Sequence, residues 1–170
     1  MIRQAVDKDL YEIMEIYNDA VLNTTAVYAY RVQTIEERKL WFQKKKEDDF
    51  PVIVFEEDNT VTGFATFGPF RTWPAYKYTI EHSVYVHKDY RKRGIGTALV
   101  TQIIKLANER EYATLVAGID ALNEKSIFMH EKMGFQYSGT IKRAGFKFGK
   151  WLDLVFYQLD LTGPTEPIDG

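Results

Sequence analysis

The stretch Tyr90 to Gly96, YRKRGIG, narrows most what this chain can fold into. It lies between two segments of different period. Before it, YTIEHSVYVH from Tyr78 to His87 alternates as a strand does. After it, Leu99, Ile103, Leu106 and Ala107 recur at helix spacing, and the pattern runs to about Arg110. The loop therefore sits where a helix begins. Its two glycines permit positive φ or a close approach of the backbone to another group. A helix N-terminus is itself an anion site, and successive N–H groups form a concave nest that longer side chains would block. Arg91, Lys92 and Arg93 add charge suited to phosphates.

The rest of the chain sets that loop in a mixed fold. IRQA reads as a first strand, and Asp7 or Asp9 can cap a helix with the apolar stripe Leu10, Ile13, Met14, Tyr17, Ala20 and Val21. Asn23 to Gln33 reads as a loop. Thr34 with Glu37 is a capping-box pattern opening a second helix. Val52 to Phe55 and Val61 to Phe67 flank a turn at Asp58 and Asn59. ATLVAGID is a buried strand, and NEKSIFMHEKM is a helix that Asn123 can cap and Gly134 stops. Two strands joined near Gly145 to Gly149 close the chain. The order predicts an α+β fold: a mixed, mostly antiparallel twisted sheet of about seven strands with helices on both faces. No linker or repeat divides the chain, so residues 1–161 are expected as one domain and 162–170 as a flexible tail.

Composition removes whole classes of function. The chain has no cysteine, which excludes disulfides, thiolate metal sites and a cysteine nucleophile. Three scattered histidines lack metal-ligand spacing, so no metal is expected. A net charge of −2 argues against general nucleic-acid binding. No apolar run reaches a membrane span, and the N-terminus lacks a signal-peptide core; the chain reads as cytoplasmic, with no membrane partner.

Which anion the loop holds follows from spacing. A dinucleotide fingerprint needs a third glycine where Leu99 stands, and a Walker A loop needs four residues between its glycines followed by Lys and Ser or Thr. The spacing Arg91-x-x-Gly94-x-Gly96 instead resembles the signature of the GNAT acyltransferase superfamily. TIEHSVYV before the loop and NEKSIFMHEKMGF after it fit that resemblance. GPFRTWPAYKYTIEHSVYV and RAGFKFGKWLDLVFYQLDL resemble the phosphinothricin N-acetyltransferase branch, which includes acetyltransferases of methionine sulfone and sulfoximine. The match spans Ile2 to Leu161.

The resemblance implies acetyl-CoA as co-substrate. It implies that Arg91, Lys92, Arg93, Gly94, Ile95, Gly96 and Thr97 hold the pyrophosphate, that Val84, Tyr85 and Val86 pair their backbone with the pantetheine arm, and that Asn123 and Ser126 lie against the coenzyme. Asn123 and Ser126 are also ordinary helix-capping residues. Glu81 lies about 10 Å up the strand from Val84, a separation suited to a base acting on an incoming amine; the bland alternative is a surface carboxylate paired with Lys77 or Arg71. His130 stands where many members have tyrosine. It is a candidate to protonate the departing thiolate, or else a half-buried helix histidine with a backbone partner. His82 is expected to pack in the sheet. Arg71 is the candidate grip for a substrate carboxylate, or an exposed loop arginine, with Trp73 and Tyr28 as pocket walls.

The expected activity is direct acetyl transfer from acetyl-CoA to the amine of a small amino acid analogue, without a cysteinyl intermediate. The alternatives are another amine (a peptide N-terminus, a polyamine or an aminoglycoside) or a non-catalytic coenzyme-binding module. A homodimer is expected from the resemblance and from Phe146, Phe148, Trp151 and Phe156 in the last strands.

Overall fold

The computed structural model describes residues 1–170. Seven strands carry the order β1-β2-β3-β4-β5-β7-β6: β1 Ile2–Gln4, β2 Val52–Glu57, β3 Thr60–Pro69, β4 Thr79–Val86, β5 Thr114–Asp120, β6 Gln136–Lys147 and β7 Lys150–Asp160. Four helices join them: α1 Leu10–Asn23, α2 Ile35–Glu47, α3 Ile95–Glu109 and α4 Glu124–Lys132. The β1–β2, β2–β3, β5–β7 and β6–β7 pairs are antiparallel, and β4 runs parallel to β5. This is the mixed, mostly antiparallel sheet expected from the sequence.

The chain divides into two compact units, Met1–Phe67 with Ser83–Ile103, and Gly68–His82 with Ile104–Gly170. In the first, Leu10, Ile13 and Ile16 of α1 pack with Phe42 of α2 on Val52, Val54, Val61 and Phe64 of the strands. The α2 cap forms as the pattern requires: Thr34 Oγ1 accepts from the Glu37 N–H, and Glu37 accepts from the Thr34 N–H. The α1 cap does not. The Asp9 carboxylate makes no cap bond to α1, because it takes the Val6 N–H at 2.8 Å and a two-pronged pair with Arg3. Asp58 and Asn59 both adopt positive φ, which gives the β2–β3 hairpin the primed turn that suits strand twist.

Gly63 on β3 governs where α3 begins. A Cβ there would meet Tyr85 O and Ile95 Cγ2 at 3.0 Å and Leu99 Cδ1 at 3.1 Å. The missing side chain lets the first turns of α3 and the β4 backbone close on β3, and Ile95, Leu99, Val100 and Ile103 bury there.

In the second unit, β5 pairs with β7 from Thr114↔Asp160 to Asp120↔Leu154. The β6–β7 hairpin turns at Phe148 and Gly149, both at positive φ, and β6 carries two register breaks. Asn123 caps α4, its Oδ1 accepting from the Ser126 N–H, and Gly134 at φ 94° ends the helix. The final residues form neither helix nor strand. Thr162 bonds Asn108 through its N–H and its hydroxyl, and the Ile168 N–H donates to the Tyr78 hydroxyl. No helix is long and apolar enough to cross a membrane.

Overpacking at Gly63 has a defined cost. Gly63→Ala is expected to lower the unfolding free energy by about 1–3 kcal/mol, since backbone must shift. Urea unfolding of the two proteins measures it.

Candidate active site

In the first unit, β4 ends at Val86 and leads through a 3-10 turn, Lys88–Tyr90, into the basic loop. Lys92 at φ 66° and Gly94 at φ 79° are both left-handed, and α3 starts at Ile95. Left-handed residues alternating with others turn successive N–H groups inward, and the first turn of α3 carries no acid to offset its positive end. The loop is thus an anion cradle by backbone geometry. Its side chains are less free than the sequence suggests. Arg91 lies 3.4 Å from Asp19 and 3.4 Å from the Val86 carbonyl, and Arg93 lies 3.8 Å from Glu57 and against the Tyr90 ring. Ile95 is buried, so only its backbone can serve the cradle, whereas Thr97 is exposed.

In the second unit, the parallel pairing of β4 with β5 covers Thr79↔Thr114, Ile80↔Leu115 and Glu81↔Val116 and then stops, although both strands continue. Glu81 stands at that last pair. Neither Lys77 nor Arg71 pairs with it, and burial alone pushes its carboxyl above the usual range. Its Oε1 lies 3.5 Å from where a Cβ on Gly118 would sit, with Leu154 and Phe156 on the same side. The Phe156 ring meets Phe70 edge-on at 6.3 Å, Phe70 meets Tyr76 at 5.9 Å, and the Arg71 guanidinium lies 5.7 Å from the Phe70 ring. Ring contacts therefore run from Phe156 through Phe70 to Tyr76, with Arg71 beside the Phe70 ring. Trp73 is 73% exposed. Tyr28, in the first unit, is 38% exposed.

His130 and His82 form a buried pair. His130 Nδ1 lies 2.7 Å from the Ser126 carbonyl, which only accepts, so Nδ1 carries the proton. Its Nε2 then accepts from His82 Nε2–H at 3.0 Å. Phe135 packs against both rings. Burial pushes both histidines down, His82 to about 3 with His130 adding to the effect. This is the helix histidine with a backbone partner. Burial favours its neutral form and outweighs the Ser126 carbonyl, which favours the charged one. Ser126 holds His130 through its carbonyl, and Asn123 spends its side-chain oxygen on the helix cap. No cluster of histidines and carboxylates could hold a metal ion.

Two glycines escaped the sequence reading. Gly63 and Gly118 both interrupt strands, and an isolated strand glycine is the signal of close approach. A Cβ on Gly118 would make only ordinary contacts with Glu81, Leu154 and Phe156, whereas Gly63 sets the start of α3.

The first unit thus carries an anion cradle at a helix start, and the second an ion-pair-free carboxylate at the end of a parallel strand pair. The acetyltransferase (GNAT) family model matches residues 10–135, and the chain belongs to that family. An N-acetyltransferase from Staphylococcus aureus Mu50 superposes with a TM-score of 0.95 at 55% identity over 95% of this chain and 98% of that one. The L-methionine sulfoximine/L-methionine sulfone acetyltransferase of Salmonella typhimurium is 40% identical over 98% of this chain and 97% of its own length. A GNAT phosphinothricin acetyltransferase from Sinorhizobium meliloti, solved with AcCoA, has a TM-score of 0.94 at 34% identity, covering 100% of this chain and 94% of that one. This protein is an N-acetyltransferase.

The histidine pair predicts a pH effect on stability. Both folded-state pKa values lie below the unfolded value of about 6.5, so the unfolded chain takes up protons that the folded chain refuses. The contribution is fully present above that value and is lost as pH falls. Urea midpoints should drop between about pH 7 and 5, and the double variant His82→Gln/His130→Gln should flatten that drop.

Proposed function

We propose that this enzyme transfers the acetyl group of acetyl-CoA directly to the amine of a small amino acid analogue of the methionine sulfoximine or phosphinothricin type. The observation that carries the reading is Glu81, half-buried and without an ion pair where the β4–β5 pairing ends. The relatives named for such analogues match nearly the whole chain.

The cradle of left-handed Lys92 and Gly94 before an acid-free helix start fits a pyrophosphate. In this reading the backbone of Gly94, Ile95, Gly96 and Thr97 holds it, with charge from Arg91, Lys92 and Arg93. Val84, Tyr85 and Val86 lay their backbone along the pantetheine arm, and Asn123 and Ser126 lie against it. Acetyl-CoA supplies the activated thioester. Glu81 takes the proton of the incoming ammonium, directly or through a water, and so frees the nucleophile. Arg71 grips the substrate carboxylate, with Trp73 and Tyr28 as walls. His130 here positions α4 and does not move the proton. The cytoplasmic setting is part of the same reading.

Glu81→Gln keeps size and removes basicity. It should lower kcat/KM by about 10²-fold or more at pH 7, with acetyl-CoA affinity unchanged. The loss should shrink as pH approaches the amine's own pKa of about 10, because solution then supplies neutral amine. The raised Glu81 pKa also places the acid limb of wild-type activity above the ordinary carboxylate range, since only the ionised form is a base. A loss constant across pH would make Glu81 a substrate anchor instead.

We further propose a homodimer through the β6–β7 hairpin, where Phe146, Phe148 and Trp151 are 46%, 56% and 57% exposed. Phe156 is not part of that strip, being half-buried beside Phe70. Sedimentation should show twice the 19.8 kDa chain mass, and Trp151→Glu should shift it to the monomer.

A further inference from the structure

Arg38 on α2 is only 2% exposed, and arginine is almost never buried so deeply without an acid. Its guanidinium carbon lies 4.3 Å from the Tyr17 ring centre and 4.4 Å from that of Trp41. Those contacts occupy its faces. They leave its edge: Nε and Nη2 have no hydrogen-bond partner. These two nitrogens point their N–H groups the same way, as the side-on fork that grips both oxygens of a carboxylate. The side chains that act on the Arg38 charge are those of Tyr17 and Tyr85, and no carboxylate is among them. The adjacent Glu37 is committed to Arg31 and to the Thr34 N–H.

We propose that the Nε/Nη2 edge of Arg38 is a binding site for a carboxylate. Burial lowers the Arg38 pKa to about 10, so the group stays cationic at neutral pH and its charge needs a partner. A planar monoanion balances one buried cation. A phosphate dianion would bury a surplus charge and is too bulky to share the edge with two rings. Access is through the rings themselves. Tyr17, Trp41 and Tyr85 are half-buried and pack against the apolar cluster, so one of these rings must turn aside to admit the ligand. The carboxylate has two sources: the acceptor amino acid, an assignment that rests on the function proposed above and puts Arg38 in the place given there to Arg71, or a separate small acid.

Trp41 stacks on Arg38 and reports the site. With 5-fluorotryptophan at the three tryptophans, the Trp41 fluorine resonance, assigned with Trp41→Phe, should shift saturably on titration with sodium formate and not with equal sodium chloride. Arg38→Lys keeps a charge without the fork, and Arg38→Met removes both. Each should weaken formate binding by about tenfold or more, with folding checked by circular dichroism. Displacement of formate by L-methionine sulfone assigns the site to the acceptor's carboxylate, and saturable formate binding without displacement assigns it to a separate acid. No saturable shift in the wild-type protein overturns the site without recourse to a variant, as does equal binding by a folded Arg38→Lys. The titration needs no turnover, so an unexpected Glu81→Gln profile would leave it standing.

Discussion

The parallel pairing of β4 with β5 lasts three residue pairs, and the rest of the site depends on where it stops. Up to Glu81 the two strands satisfy each other's backbone. Beyond Val116, β5 continues along β7 to Asp120, while β4 continues to Val86 and into the basic loop. A carboxylate at the last shared pair keeps a well-fixed backbone but loses the cover of continued pairing. This is the environment that can raise a carboxyl pKa by partial burial without locking the group into an ion pair.

Absent side chains matter as much here as present ones. Gly63 brings the α3 start against β3 and the β4 backbone, and so fixes the height of the anion cradle. Gly94 supplies the left-handed residue just ahead of α3. In both cases backbone must approach another group more closely than a Cβ allows, or take a φ that side chains resist.

Charge in the protein divides into spent and held groups. Asp9 with Arg3, and Glu37 with Arg31, are closed pairs that fix chain entry and a helix cap. The buried histidines bond each other, and the Ser126 carbonyl holds His130, although His82 Nδ1 is left without a partner. Glu81 and Arg38 stay open. Desolvation without a partner is unfavourable, so groups kept in that state are the ones a ligand can repay.

The sequence alone determined the elements and the coenzyme loop. Strand alternation ahead of YRKRGIG, the Thr34/Glu37 box, the Asp58-Asn59 turn and the Asn123 cap are local, and local chemistry specifies them whatever lies beyond. The spacing of Arg91, Gly94 and Gly96 was enough to point to the family. Tertiary structure decided everything that depends on residues far apart in the chain. Asp9 left its expected helix for Arg3 and Val6. His130 met His82, 48 residues away, and was buried with it, which lowers the pKa of both rings. Arg38 on an apparently polar helix went inside, between the Tyr17 ring of α1 and the Trp41 ring of its own helix. Burial, and with it pKa and charge balance, is a property of neighbours that only the fold brings together.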